Sequence, residues 1–133
     1  MLLLVRAVSI AFGVVLVAGA CRSASATGTT AAYYTASQAA AGAKLYGARC
    51  SACHGANLQG VSAPALRASA YATASSVAEV YRFMVETMPM GRPGTLTPAQ
   101  YDAVMAYLLR ENGFRAGAKP LTGAVAKKMT ARY

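Results

Sequence analysis

Residues 50–54 read Cys50-Ser51-Ala52-Cys53-His54, and His54 is the only histidine in a chain of 133 residues. One other cysteine is present, Cys21. On a helix, positions i, i+3 and i+4 share a face, with neighbouring Cβ atoms about 5–6 Å apart. Two thiols and an imidazole on one turn are a donor set for a metal or a cofactor. The sequence on either side decides which.

Upstream, a helix is expected from Ser37, as N-cap, through QAAAGAKLYGARC, because alanine, leucine and lysine favour that state. Gly42 and Tyr46 lie four apart on one face, and the glycine invites a second helix to cross closely. Downstream, residues 55–74 are rich in Gly, Ser and Pro and read as an extended loop. Ser76-Val77-Ala78-Glu79 is a capping box. The helix after it carries Val77, Val80, Tyr81, Met84 and Val85 on one apolar face. It must stop before Met88-Pro89, because the residue preceding proline avoids the helical region. Residues 88–96 (MPMGRPGTL) form a loop. Thr97, Pro98 and Gln100 then open a last helix, with Tyr101, Val104, Met105 and Leu108 at helical spacing and Gly113 past its end. Nothing reads as a strand, so the fold class is all-α.

The two ends fall outside this pattern. Arg6 is followed by an apolar run from Ala7 to Ala20. Its 14 residues are short against the roughly 20 that a membrane span needs, and they suit a signal peptide. Cleavage at Ala24-Ser25-Ala26 makes residues 1–26 the leader. Ala18-Gly19-Ala20-Cys21 resembles a lipobox and makes it residues 1–20, with Cys21 lipidated. Either exit sends the protein across the membrane into the periplasm, and a membrane anchor follows only from a lipidated Cys21. Residues 27–36 read as a flexible lead-in, 37–120 as the domain and 121–133 as a basic tail.

The formal charge is +9, and beyond Ala26 only Glu79, Glu86, Asp102 and Glu111 are acidic. Such a balance favours acidic partners. The cations are scattered with no interleaved aromatic stripe, which argues against nucleic acid. With 8% aromatics and no tryptophan, a domain this small has a modest core of its own.

Four uses of the cluster compete. Structural zinc needs four ligands, and the mature chain offers two thiolates and one imidazole. A thioredoxin-like pair needs a βαβ setting, which is absent. A plain disulfide leaves His54 unexplained. Covalent haem attachment has C-x-x-C-H as its local pattern. Cys50 and Cys53 then reach two vinyl groups on one porphyrin edge, His54 binds iron, and the porphyrin supplies the missing apolar centre. With no second histidine, the sixth ligand is a methionine or the site is open. Met84 and Met105 sit on apolar helix faces and Met129 in the tail, which leaves Met88 and Met90 in the Pro/Gly loop.

C-S-A-C-H-G, a proline in the following loop (Pro64), Met88-Pro89 and a terminal helix resemble, in that order, class I cytochrome c over about residues 38–120. The stretch MPMGRPGTLTPAQYDAVMAYLLRENGFRAG is similar to cytochrome c domains and subunits that partner quinoprotein alcohol dehydrogenases. The resemblance implies a small fold of three to four helices wrapped around one covalently bound haem c. It implies that Cys50 and Cys53 carry the haem, that His54 is the proximal and Met88 the distal iron ligand, and that Pro64 offers its carbonyl to His54. Gly42 and Tyr46 would cross the last helix near Tyr107 and Leu108. Arg67, Tyr71 and Arg92 would either pair with the haem propionates or stand as solvated surface groups.

The expected function is that of an electron carrier rather than an enzyme. It passes single electrons in the periplasm between a dehydrogenase and a terminal oxidase or another cytochrome. Two other uses of the same site are a dedicated cytochrome c subunit of a quinoprotein dehydrogenase complex and a haem protein with an open distal site.

Overall fold

The computed structural model describes residues 31–67 and 75–133. The leader, Cys21 and Tyr71 lie outside them. Five helices follow in order: α1 (Ala36–Arg49), α2 (Ser51–His54), α3 (Val77–Thr87), α4 (Pro98–Glu111) and α5 (Gly123–Ala126). Three are full helices and two are single turns. Among the described residues there is no strand, only the isolated bridges Tyr34–Ala116 and Ser76–Arg132. The fold is the small all-α one expected.

Local chemistry sets the ends of each helix. The hydroxyl of Thr35, not Ser37, accepts from the Gln38 amide and caps α1, so the helix starts earlier than expected. Ser76 and Glu79 form a complete capping box on α3, and α3 ends at Thr87, with Met88 extended ahead of its proline. Thr97 and Gln100 form the second box, with Pro98 in the first turn of α4. Each box satisfies amides that a helix start otherwise leaves without partners.

Helix α4 is the centre of the bundle. Every residue from Ala103 to Leu109 is buried, together with Tyr101, so the apolar face expected at Val104, Met105 and Leu108 widens to nearly the whole circumference. A helix apolar all round is one enclosed by its neighbours. Helix α1 crosses it at Gly42. A Cβ added there would stand 1.8 Å from the Ala103 carbonyl oxygen, so only glycine permits this approach. One turn along, the Tyr46 and Tyr107 rings meet at 5.1 Å. The crossing near Tyr107 is the one that the resemblance implies.

Residues 121–133 do more than a basic tail would. Leu121, Ala126, Met129 and Tyr133 are all buried. The Gln38 side chain holds both the amide and the carbonyl of Leu121, at 2.8 Å each. The amides of Val77 and Ala78 donate to the carbonyls of Ala131 and Met129. The segment closes the core over the start of α3. Its spacing hides this, because the apolar residues are placed by turns and single bonds rather than by a helical period.

Candidate cofactor site

The C-x-x-C-H stretch forms a turn of its own where α1 stops. Cys50 ends α1 with φ −126° and starts α2, and its carbonyl accepts from the amides of Cys53 and His54. The turn therefore keeps Cys50, Cys53 and His54 on one helical wind. Gly55 leaves it at φ 82° and ψ 147°, a conformation open in practice to glycine alone. The buried Tyr46 hydroxyl donates to the Gly55 carbonyl at 2.7 Å, tying the turn to α1. On the other side, the Cys53 carbonyl accepts from the amides of Val61, Ser62 and Ala63, which folds the next loop back over the turn.

That return brings Pro64 to His54. The His54 Nδ1 lies 2.8 Å from the Pro64 carbonyl oxygen. A carbonyl can only accept, so Nδ1 carries the proton and Nε2 presents its lone pair. A hydrogen bond to the far ring nitrogen is the usual way a ligating histidine is oriented and made more basic. Both cysteines are free thiols, Cys50 half-buried and Cys53 exposed. Burial, then the neighbouring Cys53, pushes the Cys50 thiol up from its ordinary value.

The methionines separate by environment. Met84, Met105 and Met129 are buried in the core. Met90 is 80% exposed. Met88 is half-buried and packs against the core cluster. The Tyr101 hydroxyl donates to the Met88 carbonyl at 2.7 Å and accepts from the Gly94 amide at 3.1 Å. Sequence reasoning read Tyr101 only as part of an apolar face; its place one turn into a capped helix, beside a Pro/Gly loop, was the available signal. Of the groups considered for propionates, Arg67 pairs with Glu111 at 2.9 Å and Arg92 is exposed.

The donor set fits a haem c. Two unpaired thiols and an imidazole with Nε2 available share one turn, and Met88 lies in a separate bent loop. Among the described residues no group of three or more His, Cys, Asp or Glu is arranged to hold a bare metal ion. Two surface clefts, of about 380 and 570 Å³, lie around Tyr33 and the C-terminal segment, and none of Cys50, Cys53, His54 and Met88 lines either. They are separate from this chemistry.

A family model described as cytochrome C oxidase, cbb3-type, subunit III matches residues 37–108, more than half of the chain. No curated protein matches. Among solved structures the chain is similar to the sulfane dehydrogenase SoxCD from Paracoccus pantotrophus. The two are 25% identical, with a TM-score of 0.56, over 69% of this chain and 52% of that one. The chain thus spans about half the length of the SoxCD chain it matches.

Proposed function

The chain belongs to the cytochrome c oxidase, cbb3-type, subunit III family, and from that premise we propose that it carries single electrons in the periplasm between a dehydrogenase and a downstream acceptor. It is a class I c-type cytochrome, and such a domain implies haem c. When bound, that group supplies a one-electron ferric/ferrous couple.

The residues divide the work of holding it. Cys50 and Cys53 would hold it through two thioethers, each S–H adding across a vinyl group with no oxidant needed. His54 donates from Nε2, oriented by the Pro64 carbonyl. Met88 supplies the distal thioether. A thioether opposite an imidazole raises the reduction potential. The observation that carries the reading is the 2.8 Å contact between His54 and Pro64, next to two free thiols on the same turn.

The excess of Lys and Arg beyond Ala26, 11 against four acids, supports an acidic redox partner. Attraction between surface charges speeds encounter and is screened by salt. Stopped-flow electron transfer with an acidic periplasmic dehydrogenase is expected to slow as ionic strength rises, and a flat or rising rate would contradict the steering. The distal assignment is tested in the loaded protein: Met88→Ala is expected to abolish the far-red sulfur-to-iron band and Met90→Ala to leave it. The reverse would move the ligand to Met90.

The likeness to SoxCD favours a second reading, a dedicated cytochrome subunit of a dehydrogenase complex. Copurification with a dehydrogenase through a high-salt wash distinguishes it from a free carrier. The apolar stretch at Ala7–Ala20 supports export.

A further inference from the structure

We infer that Tyr101 is a positioning residue for the distal ligand, its hydroxyl acting as the clasp that closes the Met88 loop. The inference rests on the reading of Met88 as that ligand. Loop 88–96 has few other holds. Within it, the Arg92 amide donates to the Pro89 carbonyl and the Thr95 hydroxyl to the Arg92 carbonyl. Both are local turns that hold neither end to the bundle. Gly91 and Gly94 take φ values of 77° and 72°, and a Cβ at either would meet nothing within 4 Å. The middle of the loop is therefore bent without being packed, while Met88 and Leu96 at its two ends rest against the core.

Tyr101 supplies what packing does not. Its ring is buried, 3% exposed, in the first turns of α4, anchored by the capping box of Thr97 and Gln100. From that fixed point one oxygen donates to the Met88 carbonyl and accepts from the Gly94 amide. It thus bonds the loop near its start and near its end. Met88 is also the C-cap of α3, and its own amide donates to the Met84 carbonyl. Residue 88 is held on its amide side by α3 and on its carbonyl side by α4. The thioether is then offered from a backbone fixed on both sides, whereas Met90, two residues on, points its side chain into solvent.

The experiment compares the haem-loaded wild type with Tyr101→Phe, which keeps the ring and removes the clasp. Imidazole, added to the ferric protein, competes with the distal thioether. Tyr101→Phe is expected to bind imidazole at least about tenfold tighter, because both bonds of the hydroxyl are lost and the Met88 carbonyl is left unpaired. The sulfur-to-iron band should disappear at correspondingly lower imidazole. Tyr34→Phe is the control, because it removes a buried tyrosine's bond to the Phe114 carbonyl (2.6 Å), past the opposite end of α4. It should destabilise the fold without moving imidazole affinity. Equal affinity in wild type and Tyr101→Phe overturns the clasp, as does an equal shift in Tyr34→Phe. In the wild type, hydrogen exchange at the Gly94 amide gives an independent reading. Protection well above that of an unstructured peptide supports the clasp, and exchange at the unstructured rate overturns it. If Met88→Ala keeps the sulfur-to-iron band, the ligand reading itself fails, a result separate from failure of the clasp alone.

Discussion

Tyr46 joins the cofactor turn to the helix crossing. Its hydroxyl holds the Gly55 carbonyl next to His54, and its ring meets Tyr107 in the α1–α4 contact. Burial, then Cys50 and Tyr107, push its hydroxyl up to about 12 from an ordinary 10.0. A raised tyrosine binds its proton more tightly folded than unfolded. Its contribution to stability is complete below the unfolded value and is lost as pH rises from about 10 towards 12. Tyr46→Phe should therefore lower stability at neutral pH by about 1–3 kcal/mol, because the buried Gly55 carbonyl loses its donor. It should also make the alkaline decline shallower, since Tyr81 and Tyr133, also raised, remain. Urea midpoints followed from neutral pH into the alkaline range check both effects. An unchanged neutral midpoint would remove Tyr46 from this account.

Gly42 and Gly47 lie on the same helix and should respond in opposite directions. Alanine at Gly42 must push the α4 backbone aside, since the obstacle is the Ala103 carbonyl and not a movable side chain. Overpacking of this kind costs about 1–3 kcal/mol, and a backbone obstacle puts it at the upper end. For a domain near 100 residues that lowers Tm by roughly 12–24 °C. At Gly47 a Cβ meets nothing within 4 Å, so alanine there gains helix propensity and stabilises by up to about 1 kcal/mol. Thermal melts of the two variants test the crossing directly. Helices of this kind were legible in the sequence because their signals are local. Ser76 with Glu79, and Thr97 with Pro98 and Gln100, fix their helix starts within four residues. Met88-Pro89 fixes an end, and C-S-A-C-H fixes the turn. The N-cap of α1 was misplaced at Ser37: Thr35, two residues earlier, also carries a hydroxyl, and it is Thr35 that reaches the Gln38 amide. Contacts between distant residues were not legible from spacing. The Tyr101 clasp and the pairing of Gln38 with Leu121 depend on how elements stack, which no periodicity encodes.

At the scale of the whole molecule, the C-terminal segment and the proposed haem both complete a small core. Leu121, Met129 and Tyr133 bury large side chains under a segment whose composition reads as a solvated basic tail. Each such side chain is worth about 1.5–3 kcal/mol when buried, against a typical total stability of 5–15 kcal/mol. Deleting residues 121–133 should therefore abolish cooperative unfolding of the polypeptide at 25 °C. A truncated chain that melts with the full-length Tm would show that the segment only rests on the bundle. The charge pattern belongs to this scale too: the excess of cations beyond Ala26 governs whom the protein meets, not how it folds. The central claim is that an iron porphyrin is bonded to this chain through Cys50 and Cys53. The most direct test is the visible spectrum of the exported polypeptide after denaturation, reduction and acid extraction. The c-type colour is expected to stay with the protein through all three treatments. Loss of the colour into the extract, or its absence from the start, would contradict it.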